Sequence, residues 1–485
     1  MRRFKKYMVW LLSALACSHC PFAQQTGKKD SLNTSQPISK DNYTVPAQER
    51  PFIVRHIVIE GNKKTRENII LRELFFKTGD QLLLQDLVRR FEISRQQLMN
   101  TTLFHEAIVA LKSFEGYNVD IIVQVRERWY IFPVPYFKPA DRNLNQWLVE
   151  QNASLKRVNY GMKLLYNNTT GRNDKLRLWW IMGYTRQLAF SYERPFIDKK
   201  MKWGLNVSLA VGKNREVNYN TVDDKQVFLK EDRYLRNFIT ASAEAVYRKA
   251  IRTRHRFGIG YGMEEIADTV AVLNPHFFPA ARTRITYPEI YYGLSYYDLD
   301  YIPYPTKGYA LEVMLNKKGI SKAMNLWQLS AKASANWPTG KRSFFSLNGY
   351  GIIKLPFNQP YYNRKLLGYS DIFMQGYEYY VIDGMAGGYL KAAFTRKILK
   401  TSVRIPGTRK IAPRLIPFNI YGRIYGNAGY IYNKYPGENF LSNRILVSSG
   451  FGIDITTIYD FTLKLEWSFN QLGQNGLFLH RKTIF

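Results

Sequence analysis

The side chains that could do chemistry in this chain are few and widely separated. Six histidines occur, and none of their spacings is that of a metal site; they are His19, His56, His105, His255, His276 and His480. Asp298 and Asp300 follow Glu289 in a tyrosine-rich stretch, a pattern more typical of a turn or a polar interior wall than of acid–base catalysis. The sequence has no Gly-x-Ser-x-Gly motif, which would carry a serine nucleophile. We therefore predict no enzymatic activity, no metal and no cofactor.

Both cysteines, Cys17 and Cys20, lie in a segment that has the pattern of a secretory signal peptide. A basic start precedes a short apolar run over residues 8–16, as in cleavable leaders. We expect a signal peptide of residues 1–23, and lipidation at Cys17 is the alternative. Cleavage would leave a chain without thiols, which suits an oxidising compartment.

The composition suggests a membrane protein that crosses with strands. After the N-terminus there is no run of about 18 apolar residues, yet 15% of the 485 residues are aromatic, led by 35 tyrosines. The net charge is +32, of which +28 remains without the leader. Such a charge favours anionic lipid headgroups as partners. Nucleic acid is the competing partner, but the lysines and arginines are scattered and form no patch, so we expect none to be bound.

Residues 24–50 are expected to form a polar linker. The residue pattern that follows predicts one small α+β domain over residues 51–130. Its elements follow from the apolar period and from turn residues; they are a strand at Val54–Glu60, a helix capped by Thr65 and running to about Phe75, a helix at Leu83–Met99, and strands at Glu106–Ser113 and Asn118–Arg126. The apolar face of the second helix is expected at Leu84, Leu87, Val88, Phe91 and Leu98. The order is β-α-α-β-β. His56 and His105 are expected on strand surfaces of this domain.

The rest of the chain alternates apolar and polar residues with a period of two. Clear examples are Trp203–Val211, Trp327–Trp337 and Phe461–Phe469, which place aromatics near strand ends. Alternation of this kind is typical of a transmembrane β-barrel with a polar interior; a soluble sandwich is the alternative. About fifteen strands can be marked, and even parity predicts about 16 antiparallel strands. We expect a linker at 131–154 and the barrel at 155–485.

Local motifs in both parts of the chain match a known family. In the N-terminal domain they are Ile57–Thr65, Gly79-Asp80, Leu103-Phe104 and Val123–Glu127, and through them the domain resembles a POTRA domain. Leu103 and Phe104 are expected in its core. In the barrel the motifs are Asp300 with Tyr304–Gly308, Met374–Glu378 within a long loop from about Leu355 to Gly384, and Tyr425–Gly429. With these, the whole chain resembles the BamA/TamA family of outer-membrane assembly proteins.

The loop motif departs from the family pattern at the position where the family has an arginine. That residue is Gln375, between Met374 and the pair Gly376-Tyr377. The resemblance implies that the loop lies in the barrel lumen and pairs with an acidic wall residue, and that position holds Asn427. Two amides can bond reciprocally, so we predict a neutral Gln375–Asn427 contact. The alternative is that Gln375 faces lumen water.

The resemblance implies a function in inserting outer-membrane proteins, or in translocating a client through a laterally opening barrel. The client polypeptide would add as a strand to the POTRA edge, at Ala107, Ile108, Val109, Ala110 and Leu111. Further assembly proteins are possible partners. The implied location is the outer membrane of a diderm bacterium, with the POTRA domain in the periplasm. A single POTRA domain and the lost charges suggest an accessory role. The alternative function is a passive channel that prefers anions or handles lipid.

Overall fold

The computed structural model describes residues 50–139, 155, 158–369, 372–404 and 415–482. The predicted signal peptide lies outside these residues, and so does the predicted linker 24–50 except for Arg50. Among the described helices, none is both long and apolar enough to cross a membrane.

The N-terminal domain has the predicted β-α-α-β-β order with one short strand added. Its elements are β1 (Phe52–Glu60), α1 (Glu67–Arg72), β2 (Gln81–Leu82), α2 (Leu84–Asn100), β3 (Phe104–Glu115) and β4 (Asn118–Glu127). The sheet order is β2-β1-β4-β3. The central strands β1 and β4 run parallel, and the hairpin β3–β4 places β3 at the edge, as the element order predicts.

The core of this domain lies between the sheet and the two helices. Leu103 and Phe104 are each 1% exposed, which confirms them as core residues. The predicted apolar face of α2 is wrong in part, because Leu84 and Val88 are exposed. The stripe that packs on the core runs through Leu87, Ser94 and Leu98, and it is narrower than the apolar pattern suggested.

Thr65 does not cap α1, contrary to the prediction. Its hydroxyl contacts the hydroxyl of Tyr130 at 3.2 Å and accepts from Asn168 Nδ2 at 2.9 Å. The helix begins after Arg66 without a side-chain cap. The threonine is therefore used to join the domain to the start of the barrel.

The barrel region contains twenty strands in chain order. They are β5 (Ile131–Pro139), β6 (Val158–Asn167), β7 (Lys175–Gly183), β8 (Thr185–Arg194), β9 (Trp203–Asn214), β10 (Glu216–Val222), β11 (Lys225–Lys230), β12 (Arg236–Tyr247), β13 (Thr253–Ile266), β14 (Arg284–Leu299), β15 (Gly308–Ser321), β16 (Met324–Pro338), β17 (Ser343–Leu355), β18 (Lys365–Leu367), β19 (Ile382–Asp383), β20 (Ala386–Arg404), β21 (Leu415–Tyr432), β22 (Ile445–Thr456), β23 (Thr462–Asn470) and β24 (Asn475–Lys482). Two short pairs, β10–β11 and β18–β19, form separate sheets, and the other strands form one 16-stranded antiparallel sheet. The predicted strand number is confirmed.

The first barrel strand lies in a segment predicted to be a linker. Residues 131–139 form β5, paired with β6, so the predicted linker 131–154 is wrong in this part; residues 140–154 lie outside the described ones. The strand contains Pro133, Pro135 and Pro139, which argue against a central strand. An edge position tolerates proline, and β5 is at an end of the sheet order.

The two faces of the barrel strands separate apolar from polar side chains, as the alternation predicts. On β9, Trp203 and Leu209 are exposed. On the other face of the same strand, Ser208 bonds to Ser242 at 2.7 Å and Asn206 donates to Glu244 at 2.7 Å. The apolar face suits lipid and the hydrogen-bonded face forms a polar lumen.

Different elements lie at the two ends of the barrel. The N-terminal domain contacts the turns at one end, for example through Arg66 N–H, which donates to Gly171 C=O at 3.0 Å. The far end carries the hairpin β10–β11, α3 (Asp268–Leu273) and the segment that contains α4 (Tyr361–Arg364). A hydrophobic cluster that includes Val217, Val270 and Tyr361 joins these elements.

Candidate functional site

The long segment between β17 and β20 is described over residues 356–369 and 372–385, and we name these described parts the lumen loop. Its outer part is fastened to the far end, since Thr221 of β10 contacts the hydroxyls of Tyr361 and Tyr369 at 2.9 and 2.8 Å. Its predicted motif lies deeper, packed on the wall formed by β21 to β24. Met374, Gln375 and Tyr377 are 1%, 6% and 2% exposed.

The backbone of Gly376 lies close to the wall strands β22 and β23. It has a φ of +89°, and a Cβ there would lie 3.0 Å from Ser448 Cβ and 3.2 Å from Phe469 O. Its carbonyl accepts from Asn470 Nδ2 at 2.8 Å. Only glycine combines this backbone conformation with this contact, which explains its place in the motif.

Two tyrosines extend the attachment on either side. The hydroxyl of Tyr377 donates to Val447 C=O in β22 at 3.2 Å. The hydroxyl of Tyr380 accepts from Gln474 Nε2, in the turn between β23 and β24, at 2.8 Å. The motif is thus held by several neutral hydrogen bonds to three wall elements.

Glu378 brings a carboxylate of the lumen loop close to the last strand. Its Oε1 lies 3.6 Å from His480 Nε2, and His480 Nδ1 lies 2.6 Å from Glu466 Oε2 in β23. The ring of Phe373 stacks on His480 at 4.7 Å between centroids. The imidazole therefore lies between an acid of the loop and an acid of the wall.

Arg423 supplies the positive charge beside the wall acids. Its Nη1 lies 3.2 Å from Glu466 Oε1 and 3.7 Å from Asp454 Oδ2. It stands on β21 four residues before Asn427, and therefore on the same face of the strand. The sequence analysis missed Arg423, although this period-two relation to Asn427 was visible.

The predicted Gln375–Asn427 hydrogen bond is wrong. Asn427 lies opposite Ser448 in the β21–β22 ladder and donates to its hydroxyl at 3.0 Å. Neither Gln375 Oε1 nor Asn427 Oδ1 has a hydrogen-bond partner in the described structure. The side-chain amide of Asn427, which was predicted to bond to Gln375 of the loop, therefore bonds to Ser448 on the neighbouring strand instead. Gln375 instead lines a lumen cavity of about 600 Å³.

The predicted client-binding strand lies at the sheet edge, with one side of its backbone directed away from β4. Arg128 N–H donates to Leu103 C=O at 2.9 Å. Because bonded positions alternate, the even-numbered residues of β4 bond to β3. Val109 lies opposite the odd-numbered Val123, so Val109 does not bond to β4 and directs its N–H outward. Ile108 and Leu111 are each 43% exposed.

The other predicted edge residues differ in exposure and direction. Ala107 is 4% exposed and directs its side chain to the core. Ala110 lies opposite Ile122, so its backbone bonds to β4 by the same alternation. In the described part of the chain, no strand other than β4 pairs with β3.

Two buried ion pairs join the POTRA domain to barrel turns, and the sequence analysis missed both. Arg128 Nη1 lies 2.6 Å from Asp460 Oδ2, with side chains 7% and 2% exposed. Arg248 Nη1 lies 2.6 Å from Glu73 Oε1, again with both side chains buried. The partners are 332 and 175 residues apart, so no local pattern connects them.

The two POTRA histidines have different surroundings, and the prediction for one of them is wrong. His56 is exposed, as predicted, and lies 3.1 Å from Asp120. His105 is half-buried, with its ring 5.1 Å from that of Tyr459 in a barrel turn. Burial, with the nearby charge of Arg128, lowers the pKa of His105 to about 4.

The seam is the boundary between β5 and β24, the two ends of the 16-strand order. Each of these strands is paired on one side, β5 with β6 and β24 with β23. Within the described residues, no ladder joins β5 to β24.

Comparison with known protein families matches both parts of the chain. Residues 52–128 match the POTRA model, described as a surface antigen variable number repeat. Residues 168–457 match the Omp85 superfamily domain. Over 102 residues the chain is 31% identical to a Treponema pallidum (strain Nichols) protein whose provisional name is outer membrane protein assembly factor. That match covers 21% of this chain and 12% of the relative, so the chain spans only a small part of that protein.

Solved structures with a similar fold include CdiB from Escherichia coli, with a TM-score of 0.52 at 11% identity over 89% of this chain and 75% of that one. BamA from Haemophilus ducreyi lacking POTRA domains 1–3 aligns over 89% of this chain and 83% of that one, at 14% identity and a TM-score of 0.49. The family model covers more than half of the chain and includes strands β7 to β22 with the lumen loop. The chain therefore belongs to the Omp85 superfamily of outer-membrane proteins, as its resemblance to BamA and TamA predicts.

Proposed function

We propose that the protein binds an unfolded outer-membrane polypeptide on β3 of its POTRA domain and assists its insertion at the seam. The POTRA domain would lie in the periplasm. The observation that carries the proposal is the outward-facing backbone of β3, a sheet edge that has no second neighbour among the described strands.

The physical basis is the hydrogen bonding of strand edges. An extended segment that adds to a sheet edge gains main-chain hydrogen bonds with little dependence on sequence. In lipid, each unsatisfied backbone group costs several kcal/mol, so a client strand needs a partner edge while it inserts. Two edges that could serve this purpose are β3 before the membrane and the seam within it.

Substitution of Val109 tests the first step. Val109→Pro removes an outward N–H from β3 and leaves its bonds to β4 intact, whereas Val109→Ala keeps the N–H and serves as the control. The probe is a urea-unfolded eight-stranded outer-membrane barrel protein, crosslinked to a photoreactive residue at Leu111. Loss of one net hydrogen bond should reduce crosslinking about fivefold in Val109→Pro only. Equal crosslinking in both folded variants would contradict capture by β3.

A passive channel is the second candidate, and the charge of the lumen favours it. The 600 Å³ lumen cavity is lined by four basic side chains (Lys332, Lys391, Arg423 and Lys464) and two acidic ones (Glu312 and Glu466). This positive balance would select anions. The packed lumen loop opposes free passage, so we expect low conductance from the pure protein in a planar bilayer. Stable, anion-selective open currents would support the channel instead. We also propose that the protein is not an enzyme, because its sequence has no serine nucleophile motif.

A further inference from the structure

The two strands that border the seam differ in the hydrogen bonds that their outer edges can make. Before β5, the carbonyl of Tyr130 accepts from Asn167 N–H at 2.8 Å. The register of β5 with β6 then runs continuously from Ile131 to Pro139. Because bonded positions alternate along an antiparallel strand, the even-numbered residues of β5 bond to β6. Its odd-numbered residues direct their backbone groups to the seam.

The seam-facing edge of β5 is depleted of donors. Of its five odd-numbered residues, three are proline, which has no N–H; they are Pro133, Pro135 and Pro139. Ile131 and Phe137 carry the remaining N–H groups of this edge. The carbonyl of Ile131 already accepts from the indole N–H of Trp129. Proline on an edge strand blocks the addition of a further strand.

The seam-facing edge of β24 keeps all of its donors. Asn470 N–H donates to Gln474 C=O at 3.0 Å, so the even-numbered residues of β24 bond to β23. The odd-numbered residues face the seam, and each has an N–H; they are Asn475, Leu477, Leu479 and Arg481. The side chains of Leu477 and Leu479 are 56% and 64% exposed, on the face that meets lipid.

The lumen loop supports β24 from its inner side. Phe373 and Glu378 contact His480, as described above, and the ring of Tyr379 lies 5.4 Å from that of Phe478. These contacts use the even-numbered residues of β24, whose side chains point inward. They hold the strand in position while its other edge remains accessible.

We propose that β24, and not β5, is the edge on which an incoming client strand is built. The occupant is an unfolded polypeptide strand with alternating apolar residues, which adds antiparallel to β24 with its apolar side toward lipid. The prolines of β5 prevent the seam from closing by a full ladder and prevent the client from pairing there. This inference rests on the proposed function. Both seam strands lie outside residues 168–457, the span of the family match, so the match itself does not identify the receiving edge.

The experiment compares trapping at the two edges in the full chain, reconstituted in proteoliposomes with Cys17 and Cys20 replaced by serine. The probe is the urea-unfolded eight-stranded barrel protein with one cysteine in its last strand. Reporter substitutions are Leu479→Cys on β24 and Phe137→Cys on β5, both on the lipid face. Disulfide trapping through Leu479→Cys should exceed trapping through Phe137→Cys about fivefold or more, since at least one net hydrogen bond separates the edges.

Backbone variants then test the cause. Leu477→Pro should lower trapping at Leu479→Cys about fivefold, while Leu477→Ala, which keeps the N–H, should not. Pro133→Ala with Pro135→Ala restores two donors to β5 and should raise trapping at Phe137→Cys. Faster migration of unboiled samples on gels verifies that each variant is folded. Trapping mainly at Phe137→Cys would overturn the inference alone, and trapping at neither edge would overturn the proposed function with it.

Discussion

Gly376 shows how one residue determines where the lumen loop can lie. Its positive φ of +89° turns the chain, and its missing side chain allows contact with Ser448 and Phe469. Because the backbone comes this close to the wall at Gly376, the next two residues, Tyr377 and Glu378, can reach their wall partners. The polar contacts of the loop therefore depend on the small size of Gly376.

Gly376→Ala should release the lumen loop. A Cβ would meet Ser448 Cβ at 3.0 Å and would also cost about 1 kcal/mol for the left-handed backbone. The control is Gly437→Ala, which shares a positive φ of +61° but has no atom within 4 Å of the new Cβ. We expect more frequent open currents in planar bilayers for Gly376→Ala only. Identical recordings for the two variants would show that the wall contact does not hold the loop.

His105 should make the POTRA domain less stable in acid. The folded pKa of about 4 is below the ordinary value of 6.5, so the unfolded state binds the proton first. Its contribution to stability is complete above pH 6.5 and is lost as the pH falls through 4. His105→Phe keeps a ring against Tyr459 and should flatten this dependence. Pulse proteolysis of the full chain in detergent, from pH 7.5 to 4, measures it; parallel curves for both proteins would contradict the assignment.

At the scale of elements, the POTRA domain and the barrel are joined by more than their covalent connection. The Arg128–Asp460 and Arg248–Glu73 pairs link the domain to two separate turns of the barrel. Asn100 adds a hydrogen bond from its Oδ1, which accepts from Ile302 N–H at 3.0 Å. The junction therefore combines two buried ion pairs with neutral hydrogen bonds.

Asp460→Asn should destabilise this junction strongly. Removing one partner leaves Arg128 buried without its counter-charge, at a cost of about 3–5 kcal/mol. Asp298→Asn is the control, because its partner Arg252, 2.9 Å away, is about one third exposed and such a surface pair contributes about 0–1 kcal/mol. Hydrogen exchange of residues 128–131 in the full chain should rise only in Asp460→Asn. A similar rise in both variants would mean that burial of the pair is unimportant.

Elements with a regular pattern could be predicted from the sequence, and elements that depend on distant partners could not. Strand β16 follows from strict alternation, and the edge position of β3 follows from the element order. In contrast, β5 was hidden by its prolines, because only its place at the end of the sheet makes them tolerable. The predicted partner of Gln375 was wrong for a similar reason. The side-chain N–H of Asn427 donates to Ser448, a cross-strand neighbour that no local motif identifies.

At the scale of the whole molecule, the continuous ladders of the 16-stranded sheet predict resistance to detergent. We expect the mature protein to fractionate with the outer membrane and to migrate faster unboiled than boiled on detergent gels. The reason is that ladders buried in the wall remain intact until heating, which keeps the molecule compact. Recovery in the soluble fraction, or a single band under both conditions, would contradict the barrel.

The short connection between the two domains has a mechanical consequence. Between the end of β4 at Glu127 and the start of β5 at Ile131 there are only three residues, and the first of them, Arg128, is fixed by Asp460. The POTRA sheet is thus connected rigidly to the first barrel strand, and the connection is too short for the domain to rotate independently of that strand. A pull on a polypeptide held at β3 would be transmitted as torque to β5, so that loading the domain strains the wall at its own seam.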